Sequence, residues 1–157
     1  MKTLFLILTL LTIDSFACVD LSHIERISGE VDLQVKQTSC DEWVRQQFVA
    51  GNPIGDPVPL KLGPDWGLVE VDDDYEKYTM HQKWAWTSDQ TKVIHEVTWD
   101  SFDKGTEELS FLAQSTYYAI DGRFVTEKGT KVKRTLHPNG EIEYKTDRID
   151  ARYPRLE

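Results

Sequence analysis

From Gly29 onward, apolar and polar residues mostly alternate, the period of strands with one buried face. "GEVDLQVKQ" sets Val31, Leu33 and Val35 against Asp32, Gln34 and Lys36, and "WVRQQFV" returns after a turn at Ser39 to Glu42. Residues 51 to 66, "GNPIGDPVPLKLGPDW", are rich in Gly and Pro and predict a loop with at most a short edge strand. "GLVEV" follows as a strand, and Asp72, Asp73 and Asp74 as an acidic turn. Three hairpins come next. The connection Ser88 to Thr91 would set Trp84 opposite His95 and Lys83 opposite Glu96. Asp121-Gly122 joins "STYYAI" to "RFVTE", and Asn139-Gly140 joins "KVKRTL" to "EIEYKT"; both dipeptides are strong hairpin signals. Gly129 reads as a bulge or a further bend. A helical turn or two is expected only in "DLSHIERI", ahead of the first strand.

The pattern amounts to about eight to ten strands at the spacing of an all-β sandwich or barrel. Consecutive hairpins predict an antiparallel up-and-down meander, and a sheet this long closes or folds over itself because its edges must be managed. A short N-terminal helix, Gly29 of "ISGEVDL" opening the first strand, and the meander after it resemble the lipocalin or calycin superfamily. Lipocalins place Trp two residues beyond that glycine, where this chain carries Val31. The resemblance implies a closed barrel with an internal cavity for a small apolar ligand. A two-sheet sandwich is the alternative architecture.

The first residues, "MKTLFLILTLLTIDSFAC", change the picture of where the chain works. Lys2, the apolar run Leu4 to Leu11 broken only by Thr9, and the small residues Ser15 and Ala17 read as a secretory signal peptide, residues 1–17. The run is too short for a membrane span, which needs ~20 residues. Residues 18–157 are then expected to form one β-domain, secreted or periplasmic. The cysteines are Cys18 and Cys40, and an exported chain with two most simply joins them in one disulfide. The alternative is lipid attachment to Cys18, making an outer-membrane lipoprotein, although Ser15 stands where such signals usually carry Leu. The net charge is −9. A surface that acidic argues against nucleic acid and anionic membrane faces as partners. A monomer is expected.

The candidate chemistry lies in "KWAWTSDQTKVIHEVTW", residues 83 to 99. In the register above, one face carries Met80, Gln82, Trp84, Trp86, Val93, His95, Val97 and Trp99; the other is mostly polar. The simplest reading is core, since strands favour aromatics and Trp buries a large area. The sharper reading is a ligand cavity. Trp84, Trp86 and Trp99 would supply contact area, and His95 and Gln82, polar groups in an apolar interior, would orient the ligand. A third is an exposed stacking platform for sugar rings. A histidine bonded to a backbone carbonyl, Tyr117 or Tyr118 is the structural alternative for His95. There is no Gly-x-Ser-x-Gly, His-Glu-x-x-His or Cys-x-x-Cys, so no enzyme activity and no cofactor is read here. His81 and His95 fall on opposite faces, which speaks against a shared metal; His137 reads as a solvated turn residue. The acidic runs at Asp72 to Glu76 and Asp100 to Glu108 lack calcium-loop spacing and read as solvated turns. The expected function is non-catalytic binding of a small apolar or aromatic ligand. The alternative is a cell-envelope interaction module that binds glycan or protein through an exposed face.

Overall fold

The computed structural model describes residues 18–156; the signal peptide read at 1–17 lies outside the described residues. Ten antiparallel strands form two sheets. The first sheet is a meander of β1 (His23–Ser28), β2 (Val31–Ser39), β3 (Glu42–Val49) and β4 (Asn52–Lys61). The second runs, again in chain order, through β5 (Gly67–Asp72), β6 (Glu76–Trp86), β7 (Lys92–Asp103), β8 (Leu109–Asp121), β9 (Phe124–Leu136) and β10 (Ile142–Pro154).

Local turn chemistry explains the second sheet. Gly122 and Gly140 sit at φ 62° and 84°, the left-handed conformation that tight hairpins need and that glycine adopts without a Cβ penalty. Trp84 pairs with His95 and Lys83 with Glu96, as the alternation requires. Lys83 and Glu96 make a half-exposed ion pair at 3.3 Å, which contributes little stability. Gly129 is neither bulge nor bend: β9 stays in unbroken register with β8 and β10 across it. It marks a close approach, since a Cβ there would lie 2.1 Å from the Ser115 carbonyl oxygen.

Three expectations are corrected in the first sheet. "DLSHIERI" holds a strand rather than a helical turn. β1 pairs with β2, and its inward residues are polar: His23 is fully buried, while Ile27 is 53% exposed. Gly29, at φ 49°, turns β1 into β2 instead of opening a first strand. The Gly- and Pro-rich segment contains β4, a long edge strand carrying Pro53, Pro57 and Pro59. An edge tolerates prolines because one side of its backbone has no ladder to complete. Leu60, opposite Trp43, anchors it in the core.

Neither sheet closes into a barrel; the architecture agrees with the two-sheet sandwich. β4 does not continue into β5 by a hairpin. The intervening residues cross from one sheet to the other, Leu62 donating from its backbone N–H to Asp41 and Gly63 to Trp84. The sheets also meet at a single bridge, His23 to Arg155, reinforced by the Leu156 N–H to the Ser22 carbonyl at 3.1 Å. Between them lies a core of Leu21, Val35, Trp43, Leu60, Leu62, Trp84, Val93, Tyr118 and Val125.

Cys18 and Cys40 form the expected disulfide, with Cα atoms 5.7 Å apart. A sulfur in that bridge is not available for a lipid thioether. The bond ties the segment before β1 to the β2–β3 turn, whose Cys40 carbonyl also accepts the Trp86 indole N–H at 2.5 Å. Replacing both cysteines by serine is expected to lower unfolding free energy by about 3 kcal/mol, the loop-closure value for roughly twenty residues. Urea denaturation of oxidised wild type against the double variant checks this, and coincident midpoints would remove the claim.

Candidate functional site

The inward-facing residues of the two sheets do not fill the space between them. A cavity of about 280 Å³ is lined by Glu25, Leu33, Val35, Trp43 and Arg45 from the first sheet and Trp84, His95, Gln114, Tyr118 and Glu127 from the second. Register explains why these side chains converge. Glu25 is opposite Leu33, and Arg45 opposite Val35, which is in turn opposite His23, so one face of the first sheet carries them all. On the second, His95 is opposite Thr116, Val97 opposite Gln114, and Tyr118 opposite Glu127. Arg45, His95, Gln114 and Glu127 each stand two residues after a buried apolar residue on their own strand, Trp43, Val93, Leu112 and Val125, and Glu25 two after the buried His23. The alternation that builds the sandwich therefore turns these polar side chains inward.

His95 is the centre of the arrangement. Its ring stacks on Trp84 with centroids 3.6 Å apart and planes 12° from parallel. Both ring nitrogens are buried and have no hydrogen-bond partner among the described residues. Burial, with a smaller contribution from the Arg45 cation, lowers the His95 pKa to about 3, so the ring is neutral at pH 7. A neutral imidazole presents one donor and one acceptor. The Arg45 side chain forms no hydrogen bond or ion pair among the described residues. The far wall is acidic. Glu127 accepts the Tyr153 hydroxyl at 2.7 Å, and Glu25 lies 3.0 Å from Nε2 of His23. His23 Nδ1 is 2.6 Å from the Leu21 carbonyl, and because a carbonyl only accepts, that nitrogen donates. The ring is sandwiched between Tyr118 and Tyr153, with centroids 5.8 and 5.2 Å away.

The structure brings only two of the sequence-derived candidates, Trp84 and His95, to this cavity. Trp84, Val93 and Val97 are buried; Trp86 and Trp99 share their face but are half-buried. Trp86 is held under the disulfide-bearing turn by its hydrogen bond to Cys40. Trp99 packs edge-on against Tyr78 at 5.5 Å. Gln82 lies 3.4 Å from the Trp84 indole nitrogen and opens on a surface groove beside Trp66. Glu25, Arg45, Gln114 and Glu127 escaped sequence reasoning. The one available signal was a charged or amide residue in an inward phase: Glu25 after His23, Arg45 after Trp43, Glu127 after Val125.

One other reading changes. His137 is not simply solvated: its Nδ1 is 2.8 Å from Glu108, whose carboxylate raises its pKa. The acidic turn is exposed as expected, with Asp73 accepting the backbone N–H groups of Tyr75 and Glu76 and Asp72 pairing with Lys104 of the β7–β8 turn at 2.7 Å. A larger groove, about 470 Å³, opens on the outer face of the second sheet between Phe102, Leu109, Phe111, Leu136 and Ile142. Arg134 lies over the Phe111 ring at 5.7 Å. No helix among the described residues is long and apolar enough to cross a membrane. The chain matches no protein-family model, no curated protein and no solved structure.

Proposed function

We propose that this chain is an exported, non-catalytic binding protein whose ligand lodges between the two sheets, against Trp84 and His95. The signal-like N-terminus and the disulfide support export, since such bridges persist in oxidising compartments. The observation that carries the binding reading is the pair of buried, unpartnered His95 nitrogens on the cavity wall. A buried polar group without a partner costs about 1–3 kcal/mol, and an apolar residue of similar shape would avoid that cost. A ligand that hydrogen-bonds the ring removes it. The cavity lies just below the usual size of pockets for drug-sized molecules, so the ligand is small.

The test is intrinsic tryptophan fluorescence titrated with a panel of small aromatic and polar compounds, alongside thermal melts, for wild type and His95→Phe. The expected result is a saturable response in wild type that the variant loses while melting at the same or a higher temperature. A response unchanged in His95→Phe overturns the reading. The outer-face groove supports a second reading, an envelope interaction module for protein or glycan. Exposed Leu109 and Ile142, each 51% accessible, favour it. Under that reading binding is lost on Leu109→Glu and kept in His95→Phe.

A further inference from the structure

We propose that the inter-sheet cavity selects a small zwitterion of the ω-amino carboxylate kind, its ammonium toward Glu25 and Glu127 and its carboxylate toward Arg45; this rests on the binding reading above.

The strand positions make the cavity dipolar. Glu25 belongs to β1 and Glu127 to β9, while Arg45 belongs to β3 and His95 to β7. Within each sheet the acidic strand and the strand of Arg45 or His95 are two places apart in the order. Neighbouring strands lie about 4.8 Å apart, so the two ends are separated by roughly 9.5 Å of backbone. The sheets stack with like ends together. Glu127 accepts the Tyr153 hydroxyl at 2.7 Å, and Glu25 lies 3.0 Å from His23, whose ring stacks on Tyr118 and Tyr153, which places the two carboxylates around the same pair of rings. Trp43 of β3 meets Trp84 of β6 with ring centroids 5.6 Å apart, so the strands that carry Arg45 and His95 face each other at the other end of the cavity.

Each end offers groups to a ligand. Glu25 meets His23 through Oε1, and Glu127 accepts from the Tyr153 hydroxyl through Oε2 and also bonds the Tyr118 phenol; a carboxylate has lone pairs for more than one or two donors. An ammonium there would also meet the faces of aromatic rings, a setting that favours cations. Arg45 offers a planar fork matched to a carboxylate, with the Gln114 amide and one His95 nitrogen nearby on the same lining. Between the ends the wall is Leu33, Val35, Trp43 and Trp84, which suits a short methylene chain. A ligand with one charge would leave the other end desolvated without compensation.

Isothermal titration calorimetry of wild-type protein with δ-aminovalerate, valerate and pentylamine tests the idea. The zwitterion is expected to bind, with each singly charged analogue weaker by about tenfold or more, because a site built for a polar group rejects the analogue lacking it. Arg45→Gln should erase the advantage of δ-aminovalerate over pentylamine, and Glu127→Gln its advantage over valerate. The comparison among ligands needs no variant, so a poorly folding Glu127→Gln does not blunt it. Equal binding of all three compounds overturns charge selection and leaves a ligand cavity. Binding of neutral aromatics through His95, with no response to δ-aminovalerate, also overturns the inference alone. Silence toward both sets overturns the inference and the binding reading together.

Discussion

Acidification from pH 6.5 toward pH 3 is expected to cost the folded protein about 1.4 kcal/mol per pH unit through His95. The unfolded chain protonates this ring near its ordinary pKa of 6.5, whereas the folded protein resists until about 3. Between those values the unfolded state binds more protons, so acid favours unfolding. The contribution is fully present above pH 6.5, falls as the pH drops through the window, and reaches its floor near pH 3. The whole window amounts to roughly 5 kcal/mol, comparable to the total stability of many domains. Burial is the main cause and the Arg45 cation the second; the carboxylates of Glu25 and Glu127 line the same cavity. Urea denaturation of wild type and His95→Gln across this range isolates the ring from the carboxylates that also titrate. The difference in stability between the two proteins should change with pH at about the stated slope below 6.5. Parallel curves would mean that His95 is protonated in the folded state or reached by water.

The contrast between the two sheets shows which parts of this fold a sequence can reveal. The second sheet follows from local rules. Asp121-Gly122 and Asn139-Gly140 encode their own turns, and the alternation from Met80 to Trp99 sets both register and face. The first sheet depends on tertiary context. β1 reads as a helical turn in "DLSHIERI", because its true inward positions carry the polar His23 and Glu25 instead of an apolar alternation. β4 hides behind prolines that only an edge tolerates. The choice of sandwich over barrel rests on one crossover, residues 62–66, whose path no periodicity predicts. The site follows the same division. Trp84 and His95 are neighbours within one hairpin and could be paired from sequence. Arg45, Gln114 and Glu127 reach the same cavity from three other strands, and Glu25 from a fourth, which only the packing of the two sheets brings together. Residues that contradict the binary pattern, such as Glu127 at 7% exposure, are where a local reading fails and a site begins.

Trp84→Ala is expected to lower unfolding free energy by about 3–5 kcal/mol, and Trp66→Ala by about 1 kcal/mol or less. Both are tryptophans near the same crossover, and composition does not distinguish them. Trp84 is 7% exposed, stacks on His95, and meets Trp43 and Tyr118 with ring centroids 5.6 and 5.5 Å away. Its backbone carbonyl also accepts from Gly63 at 2.7 Å, so the ring sits where the chain passes between sheets. Truncation removes a large apolar surface and enlarges a cavity that the neighbours cannot collapse into, since the sheets on both sides are fixed by their ladders. Trp66 is 48% exposed and its one described ring contact is with the Lys83 ammonium at 5.6 Å, a surface interaction worth about 0.5–1 kcal/mol at most. Chemical denaturation of the two variants, followed by far-ultraviolet circular dichroism so that loss of an indole does not bias the signal, gives the comparison directly. Equal losses would mean that Trp84 is not held between the sheets, and the cavity wall described here would be wrong. A large loss confined to Trp84→Ala also sets how ligand data on that variant are read: lost binding there reflects an enlarged, loosened site, whereas His95→Phe, which keeps a ring against the Trp84 indole, separates recognition from packing.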